Sequence, residues 1–399
     1  MSIVENKTSN LNAAKAVKND EFYTQWADIE REMNAYRQYD VDVFRNKVVL
    51  LPCDDPEWSN FAKFFALHFV DFGLKKLIST SYAPESNPAG DLYQPTLFET
   101  ENPKYDETKT RLNGKKFVLE RNDINGDGVV NIDDLQWEYL EGSGDFRSLE
   151  VTALRDEADI VITNPPFSLF RDFVGWLMEG GKKFSVIGNN NATTYVEIFP
   201  PIKENKLWKG ATANATDMVF GVPKGATIKE ADRLKAERLG YPPNDDHDFT
   251  RLGNACWFTN IDHGRRHEPL QLLTIEDHIK YSKHKEIRGV GYQRYYNFPD
   301  AIEVSYVDAI PSDFDGIMGV PITFLDKYNP DQFEIVASAE DMAAMRDLGV
   351  SMLGPDFVQA YFAGGGTGGI SVGHRKLGLT KPRYYTTYKR ILIRRKDAK

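Results

Sequence analysis

The stretch "ADIVITNPPFSLFRDF", residues 158–173, runs Ile160-Val161-Ile162 directly into Asn164-Pro165-Pro166-Phe167. A short apolar run bounded by prolines reads as a buried strand. Two successive prolines have no amide hydrogen, so the strand stops where they begin and the turn is held rigid. "SLFRDFVGWLMEGG" (168–181) then has helical spacing, and "KFSVIGN" (183–189) is another strand. Strand, turn, helix and strand in that order build a parallel α/β sheet. The Pro-Pro turn thus stands at the carboxyl edge of such a sheet, where these folds bind ligands.

Upstream the same pattern appears once more. "KVVLLPC" (47–53) is a buried strand, "DPEWSNFAKFFALHFVDFG" (55–73) a helix closed by Gly73, and "KKLISTSY" (75–82) a second strand. A helix precedes them over 19–39, with Asp20 at its cap and Trp26, Ile29 and Met33 at helical spacing. Residues 83–120 read as irregular. Downstream, "TDMVFGVPK" (216–224) and "NACWFTNID" (254–262) look like a pair of strands, antiparallel to each other. "GVPITFLDKYNPDQFEIVAS" (319–338) holds at least one more, and "AGGGTGGISVGH" (363–374) is a flexible loop.

The chain of 399 residues exceeds one small core, and 41% hydrophobic with 27% charged residues is ordinary globular composition. Two cysteines, Cys53 and Cys256, are too few for a disulfide framework or a paired zinc motif, which suits a reducing compartment. The N-terminus has no apolar core of a signal peptide, and no apolar run is long enough to span a membrane. The net charge of −10 argues against a protein that coats nucleic acid over its whole surface, but not against a local basic face. Residues 375–399 carry ten Lys or Arg and one acid, Asp397. "KHKEIRGVGYQRYY" (283–296) has the same character.

Asn164-Pro165-Pro166-Phe167 has a specific chemical use. An amino group on an aromatic ring is a poor nucleophile, because its lone pair is delocalised into the ring. Two acceptors on its two N–H bonds favour a tetrahedral nitrogen and stabilise the positive charge that forms as a methyl group arrives. The Asn164 side-chain oxygen is one acceptor and the Pro165 carbonyl the other, while Phe167 stacks on the ring face. No nucleophilic side chain and no strong base are needed. A strand that merely ends in a Pro-Pro turn with an aromatic plug is the plainer reading of the same residues.

Four passages, "DEFYTQWADIE" (20–30), "CDDPEWSNFAKFFA" (53–66), "GDFRS...ADIVITNPPFSLF" (144–170) and "GVPITFLDKYNPDQFEI" (319–335), resemble the EcoRI-type adenine-specific (N6) DNA methyltransferases, in that family's order. The resemblance implies a Rossmann-like α/β fold, a mostly parallel sheet with a terminal antiparallel strand pair, and a C-terminal target-recognition region. Residues 1–18 are polar and read as disordered; the resemblance implies a catalytic domain over 19–262 and DNA recognition over 263–399. It implies S-adenosyl-L-methionine as cofactor, with Phe22, Tyr23 and Thr24 near its methionine end. Cys53, Asp54 and Asp55 follow the first strand as its neighbours, and Asp145 and Phe146 lie near its adenine. Asn164, Pro165, Pro166 and Phe167 hold a flipped target base. Motif order is that of the gamma group. Double-stranded DNA is the partner of a cytoplasmic, monomeric enzyme, prokaryotic or phage-encoded, either a restriction-modification or an epigenetic methylase; a cognate restriction endonuclease would form no stable complex with it. Arg390, Arg394 and Arg395 are the candidate phosphate contacts. Two departures from common methyltransferase patterns stand out: "CDDPEWSN" replaces a glycine-rich turn, and "ISTSY" ends the second strand without an acid.

One segment lies outside that pattern. In "DINGDGVVNIDD", within an insertion over 121–142, Asp123, Asn125, Asp127, the Val129 carbonyl, Asn131 and Asp134 fall at calcium-loop spacing, with Gly128 at the turn. The ending in Asp resembles dockerin-type loops, and the expectation is a structural calcium ion. An Asx-rich turn is the plainer alternative. For the whole chain, a methyltransferase of an RNA base or protein glutamine, and a silent nucleic-acid-binding subunit, remain as other readings.

Overall fold

The computed structural model describes residues 23–56, 59–83, 100, 102–212, 218–245 and 247–396. Phe22, Asp20 and the segment expected to be disordered, 1–18, lie outside the described residues. The chain divides into two compact units, one of Met1–Asn190 with Lys209–His263, the other of Asn191–Trp208 with Gly264–Lys399.

The strands of the first unit, in chain order, are β1 (Tyr23–Thr24), β2 (Val48–Leu51), β3 (Lys76–Ser81), β4 (Lys115–Glu120), β5 (Gln136–Tyr139), β6 (Ile160–Thr163), β7 (Lys183–Asn189), β8 (Trp208–Lys209), β9 (Met218–Pro223), β10 (His247–Leu252) and β11 (Ala255–Thr259). Eight of them form one sheet in the order β5-β4-β3-β2-β6-β7-β11-β8. Its centre, β3-β2-β6-β7, is parallel. β4 and β5 continue it antiparallel on one side, and β11 joins β7 antiparallel on the other. Every residue of β2 and β6 is buried, as expected of parallel strands covered on both faces. Helices Asn60–Leu67 and Trp26–Tyr39 supply Phe61, Phe64, Phe65, Ile29, Met33 and Tyr36 to the core.

Several local expectations change. Among the described residues the helix expected over 19–39 covers Trp26–Tyr39, because Tyr23–Thr24 is drawn into a strand against β9. Residues 107–112 are helical and 115–120 are a sheet strand, so 83–120 is not irregular throughout. The expected insertion at 121–142 contains β5, which pairs with β4. "TDMVFGVPK" and "NACWFTNID" do not pair: β9 lies between β1 and β10 in a three-stranded sheet, while β11 joins the large one.

The second unit holds β12 (Arg294–Tyr295), β13 (Phe298–Glu303), β14 (Ile317–Pro321), β15 (Phe333–Ser338), β16 (Gly378–Leu379), β17 (Tyr385–Thr386) and β18 (Arg390–Arg395). The order β12-β13-β14-β18-β15 puts the basic C-terminal segment inside the sheet, with Ile391, Leu392 and Ile393 fully buried. β16 and β17 form a separate hairpin. Among the described residues no helix is long and apolar enough to cross a membrane.

Candidate active site

β2 and β6 are adjacent and parallel, so their carboxyl ends bring residues 52–55 beside residues 163–167. Thr163, the last residue of β6, is fully buried, and its Oγ1 lies 2.7 Å from the Pro52 carbonyl and 2.6 Å from Asp54 Oδ2. Ser59 Oγ donates to Asp54 Oδ1 at 2.6 Å and accepts from the Phe61 amide, so it caps helix Asn60–Leu67. The Asp54 amide donates to Thr80 O at 2.7 Å, and the Ser79 hydroxyl donates to the Asp54 carbonyl. This web takes the place of the missing glycine-rich turn. It holds the chain after β2 by side chains instead of by close backbone approach.

Burial pushes the Asp54 carboxyl up to about 7, and the neighbouring Asp55 charge adds to the rise, against the opposing hydrogen bonds of Ser59 and Thr163. The Thr163 hydroxyl has one hydrogen and two close acceptors. A protonated Asp54 completes the pair, because it donates to Thr163 Oγ1 while Thr163 donates to Pro52. Cys53 sits at φ +68°, a left-handed conformation that costs a non-glycine residue energy. Burial, then the charges of Asp54 and Asp145, push its thiol up to about 12, which leaves it protonated.

Asp145 reaches the same edge through its backbone. Gly114 and Gly144 pack on the end of β3, where an added Cβ would stand 2.6 Å and 2.3 Å from the Ser81 carbonyl. The Ala83 amide donates to Ser143 O at 2.7 Å. Asp145 accepts from Arg147 Nε at 2.9 Å and Nη2 at 2.6 Å, and these bonds hold its carboxyl below the usual range. Phe146 is buried, edge-on to Phe173 and Trp176 with centroids 4.9 Å and 5.5 Å away. Its ring thus fastens the Asp145 loop to helix Phe170–Glu179, which follows the Pro-Pro turn.

Asn164 to Phe167 leave β6 at this edge, and a 3-10 turn over Phe167–Leu169 leads into the helix. Phe167 meets Phe220 of β9 edge-on at 6.4 Å. Phe220 is opposite Thr24 in the β1–β9 register, and Asn60 Nδ2 donates to the Thr24 carbonyl at 2.8 Å. Tyr23–Thr24, the Asp54 loop and the Asn164 turn are therefore joined through Asn60 and Phe220. Neither Asn60, Phe220, Ser59 nor Thr163 stood out in the sequence. Thr163 carried one signal, a hydroxyl residue at the buried end of an apolar strand.

Farther along, Glu32 is fully buried on helix Trp26–Tyr39. Its carboxylate accepts from the amides of Ala211 and Thr212 at 2.8 Å and 2.7 Å, from the Thr212 hydroxyl, and from Tyr36 OH at 2.6 Å. Gly210 is required there, because a Cβ would stand 2.3 Å from Glu32 Oε1.

In the loop after β4, Asp123 accepts from the amides of Gly126 and Gly128 at 2.6 Å and 2.7 Å, Asp127 from Val129 at 2.8 Å, and Asn125 from Asp127 at 2.9 Å. Asn131 caps the turn Ile132–Asp134, and Asp134 accepts from Ile124, Asn125 and Asn131. Among the described residues no group of three or more His, Cys, Asp or Glu converges as a metal site. In the second unit, Arg390 grips the buried Glu303 through Nε at 3.1 Å and Nη2 at 2.7 Å, and Tyr295 OH and Ser305 donate to the same carboxylate. Arg394 lies 3.8 Å from Glu334 with both side chains exposed, and Arg395 pairs across to Phe333 at the strand end.

A family model described as adenine-specific methyltransferase EcoRI matches residues 10–396. The chain is 40% identical over 329 residues to the type II methyltransferase M.EcoRI of Escherichia coli, covering 82% of this chain and 88% of that protein. It is 36% identical over 326 residues to the type II methyltransferase M.MpnI of Mycoplasma pneumoniae, covering 82% and 84% of the two chains. No solved structure matches it. A parallel sheet whose carboxyl edge carries Asn-Pro-Pro-Phe, in a chain matched over residues 10–396 by that family model, means that the chain belongs to the EcoRI family of adenine-specific methyltransferases and is a DNA methyltransferase that uses S-adenosylmethionine.

Proposed function

We propose that the turn Asn164–Phe167 takes an adenine flipped out of duplex DNA and presents its N6 amino group for methylation. Asn164 and the Pro165 carbonyl accept its two N–H bonds, and Phe167 stacks on the ring. S-adenosylmethionine supplies an electrophilic methyl group on a sulfonium centre. The chain's part is to hold the amine in line, exclude water and release the proton to solvent. The residues fit the cofactor: Asp55 and Asp145 bring carboxylates that suit its ammonium and hydroxyl groups. Thr24 is held near Phe167 through Phe220. Asp54, buried and engaged by Ser59 and Thr163, anchors the loop after β2 as a neighbour of the cofactor. The observation that carries this reading is the Asn-Pro-Pro-Phe turn leaving the parallel strand β6 beside the loop after β2. Transfer of a labelled methyl group to duplex DNA, RNA and protein tests it; label in RNA or protein instead of N6-methyladenine in DNA would overturn it.

The gathering of β12–β18 in a separate compact unit supports a DNA-recognition role for 263–399, together with Asn191–Trp208. The enzyme works as a monomer in the cytoplasm of a prokaryotic or phage-infected cell, paired with a restriction endonuclease that cuts the same unmethylated sequence. The loop 123–134 takes a calcium ion in a structural role. Its carboxylates accept backbone N–H bonds; each oxygen of Asp123 takes one and keeps a lone pair for a ligand bond, as does Asp134 Oδ2, while Asp134 Oδ1 is filled by two amides.

A further inference from the structure

From Phe357 to Lys396 the chain contains no Asp or Glu and nine Lys or Arg, in a protein with 59 acids and a net charge of −10. Two of its arginines already face carboxylates: Arg390 grips Glu303, and Arg394 lies near Glu334. The excess positive charge lies elsewhere. Lys376, Lys381 and Arg383 are exposed, and among the described residues none of them meets a carboxylate. Lys381 and Arg383 occupy the turn of the β16–β17 hairpin. Arg383 Nη1 donates to the Gly364 carbonyl at 3.1 Å, so this turn lies against the start of the glycine loop 364–369.

Part of the loop packs on Tyr361. Gly365, at φ +84°, lies just past the end of helix Pro355–Ala363. At Gly366 a Cβ would stand 2.4 Å from the Tyr361 ring, and the Gly368 amide donates to Tyr361 OH at 2.9 Å. Gly369 is different. Its φ is outside the left-handed region, and a Cβ there would have nothing within 4 Å. The fold itself has no need of glycine at 369. Glycine without an internal reason, on an exposed loop, suits a site where another backbone approaches closely.

We propose that the loop 364–369 and the β16–β17 turn together form the surface that meets the DNA sugar-phosphate backbone, with Lys376, Lys381 and Arg383 as its phosphate contacts and Gly369 as the point of closest approach. This rests on the reading of the chain as a duplex-DNA methyltransferase. It moves the contact away from β18, whose middle is the interior of a sheet. A basic run without acids suits a polyanion, and the packing of the loop on Tyr361 gives the surface a defined edge.

The test uses the full chain and duplex DNA from a strain without adenine methylation. Lys381→Ala with Arg383→Ala is expected to lower the slope of log affinity against log salt by about two units, one for each phosphate contact. The pair Lys63→Ala with Lys75→Ala, of equal charge change in the first unit, is expected to leave that slope near the parent value. Gly369→Val keeps the charge and has room within the fold, so its melting temperature is expected to hold while DNA affinity falls at least about tenfold, as a lost close approach implies. Parent affinity and salt slope in both the Lys381/Arg383 pair and Gly369→Val would overturn the proposal. If the parent chain itself transfers no methyl group to DNA, the underlying reading fails instead.

Discussion

Thr163 and Asp54 meet at 2.6 Å under the carboxyl edge of the sheet, one residue before Asn164 and one after Cys53. This contact joins the end of β6 to the loop after β2, so the Asn164 turn and the loop beside it share one buried anchor. A change in either partner should reach catalysis through the position of Asn164 and not through contact with substrate.

The titration of Asp54 gives that contact a pH signature. Its folded carboxyl is raised to about 7, above the ordinary carboxylate value, so the native state holds a proton that the unfolded chain releases. Its contribution to stability is full below about pH 4 and is lost as pH rises through about 7. Asp54→Asn copies the neutral acid and does not titrate. The melting temperature of this variant should gain on the parent between pH 5 and pH 8, and a constant difference across that range would contradict the protonated Asp54.

Asn164→Ala removes one acceptor for the amino group. Turnover should fall by roughly 10²–10³, the usual effect of losing one transition-state hydrogen-bond partner, while cofactor affinity stays near the parent value. Single-turnover methylation and a cofactor titration separate the two. Near-normal methylation would rule out the proposed role.

Arg390→Ala should destabilise the second unit by about 3–5 kcal/mol, because it leaves the buried Glu303 charge without its partner. Glu303→Gln combined with Arg390→Gln should recover part of that loss. Chemical denaturation measures both. An Arg390→Ala variant of parent stability but weaker DNA binding would return Arg390 to the DNA surface.

Glu32→Gln keeps the size of a side chain that faces four donors but replaces one acceptor oxygen with another donor. The mismatch should cost about 1–3 kcal/mol by leaving a buried donor unsatisfied. Denaturation of this variant beside Tyr36→Phe, which removes one donor from the same site, shows whether the loss belongs to the network.

Calcium should raise the melting temperature by binding only the folded state. Asp123→Ala with Asp127→Ala should abolish that gain and leave substantial methylation, since the loop contributes no group to the Asn164 turn. A melting temperature indifferent to calcium and to chelator would mark the loop as an Asx-rich turn closed by its own amides.

The sequence by itself determined the parallel sheet, the place of Asn-Pro-Pro-Phe at its carboxyl edge and the family. Those features are local: an apolar run gives a buried strand, prolines end it, and helical spacing begins again a few residues later. Tertiary structure decided which elements meet. Periodicity shows that β9 and β11 are strands but does not name their neighbours, and so the two expected to pair lie in different sheets. A run of arginines gives the sign of a charge but not its partner, and Glu303 stands 87 residues before Arg390. The sequence placed Asp54 after the first strand, and only folding revealed Thr163, 109 residues away, on its carboxylate. Such contacts follow from burial, because a buried polar group must find its hydrogen-bond partner wherever the folded chain supplies one, at a distance along the sequence that no local pattern records.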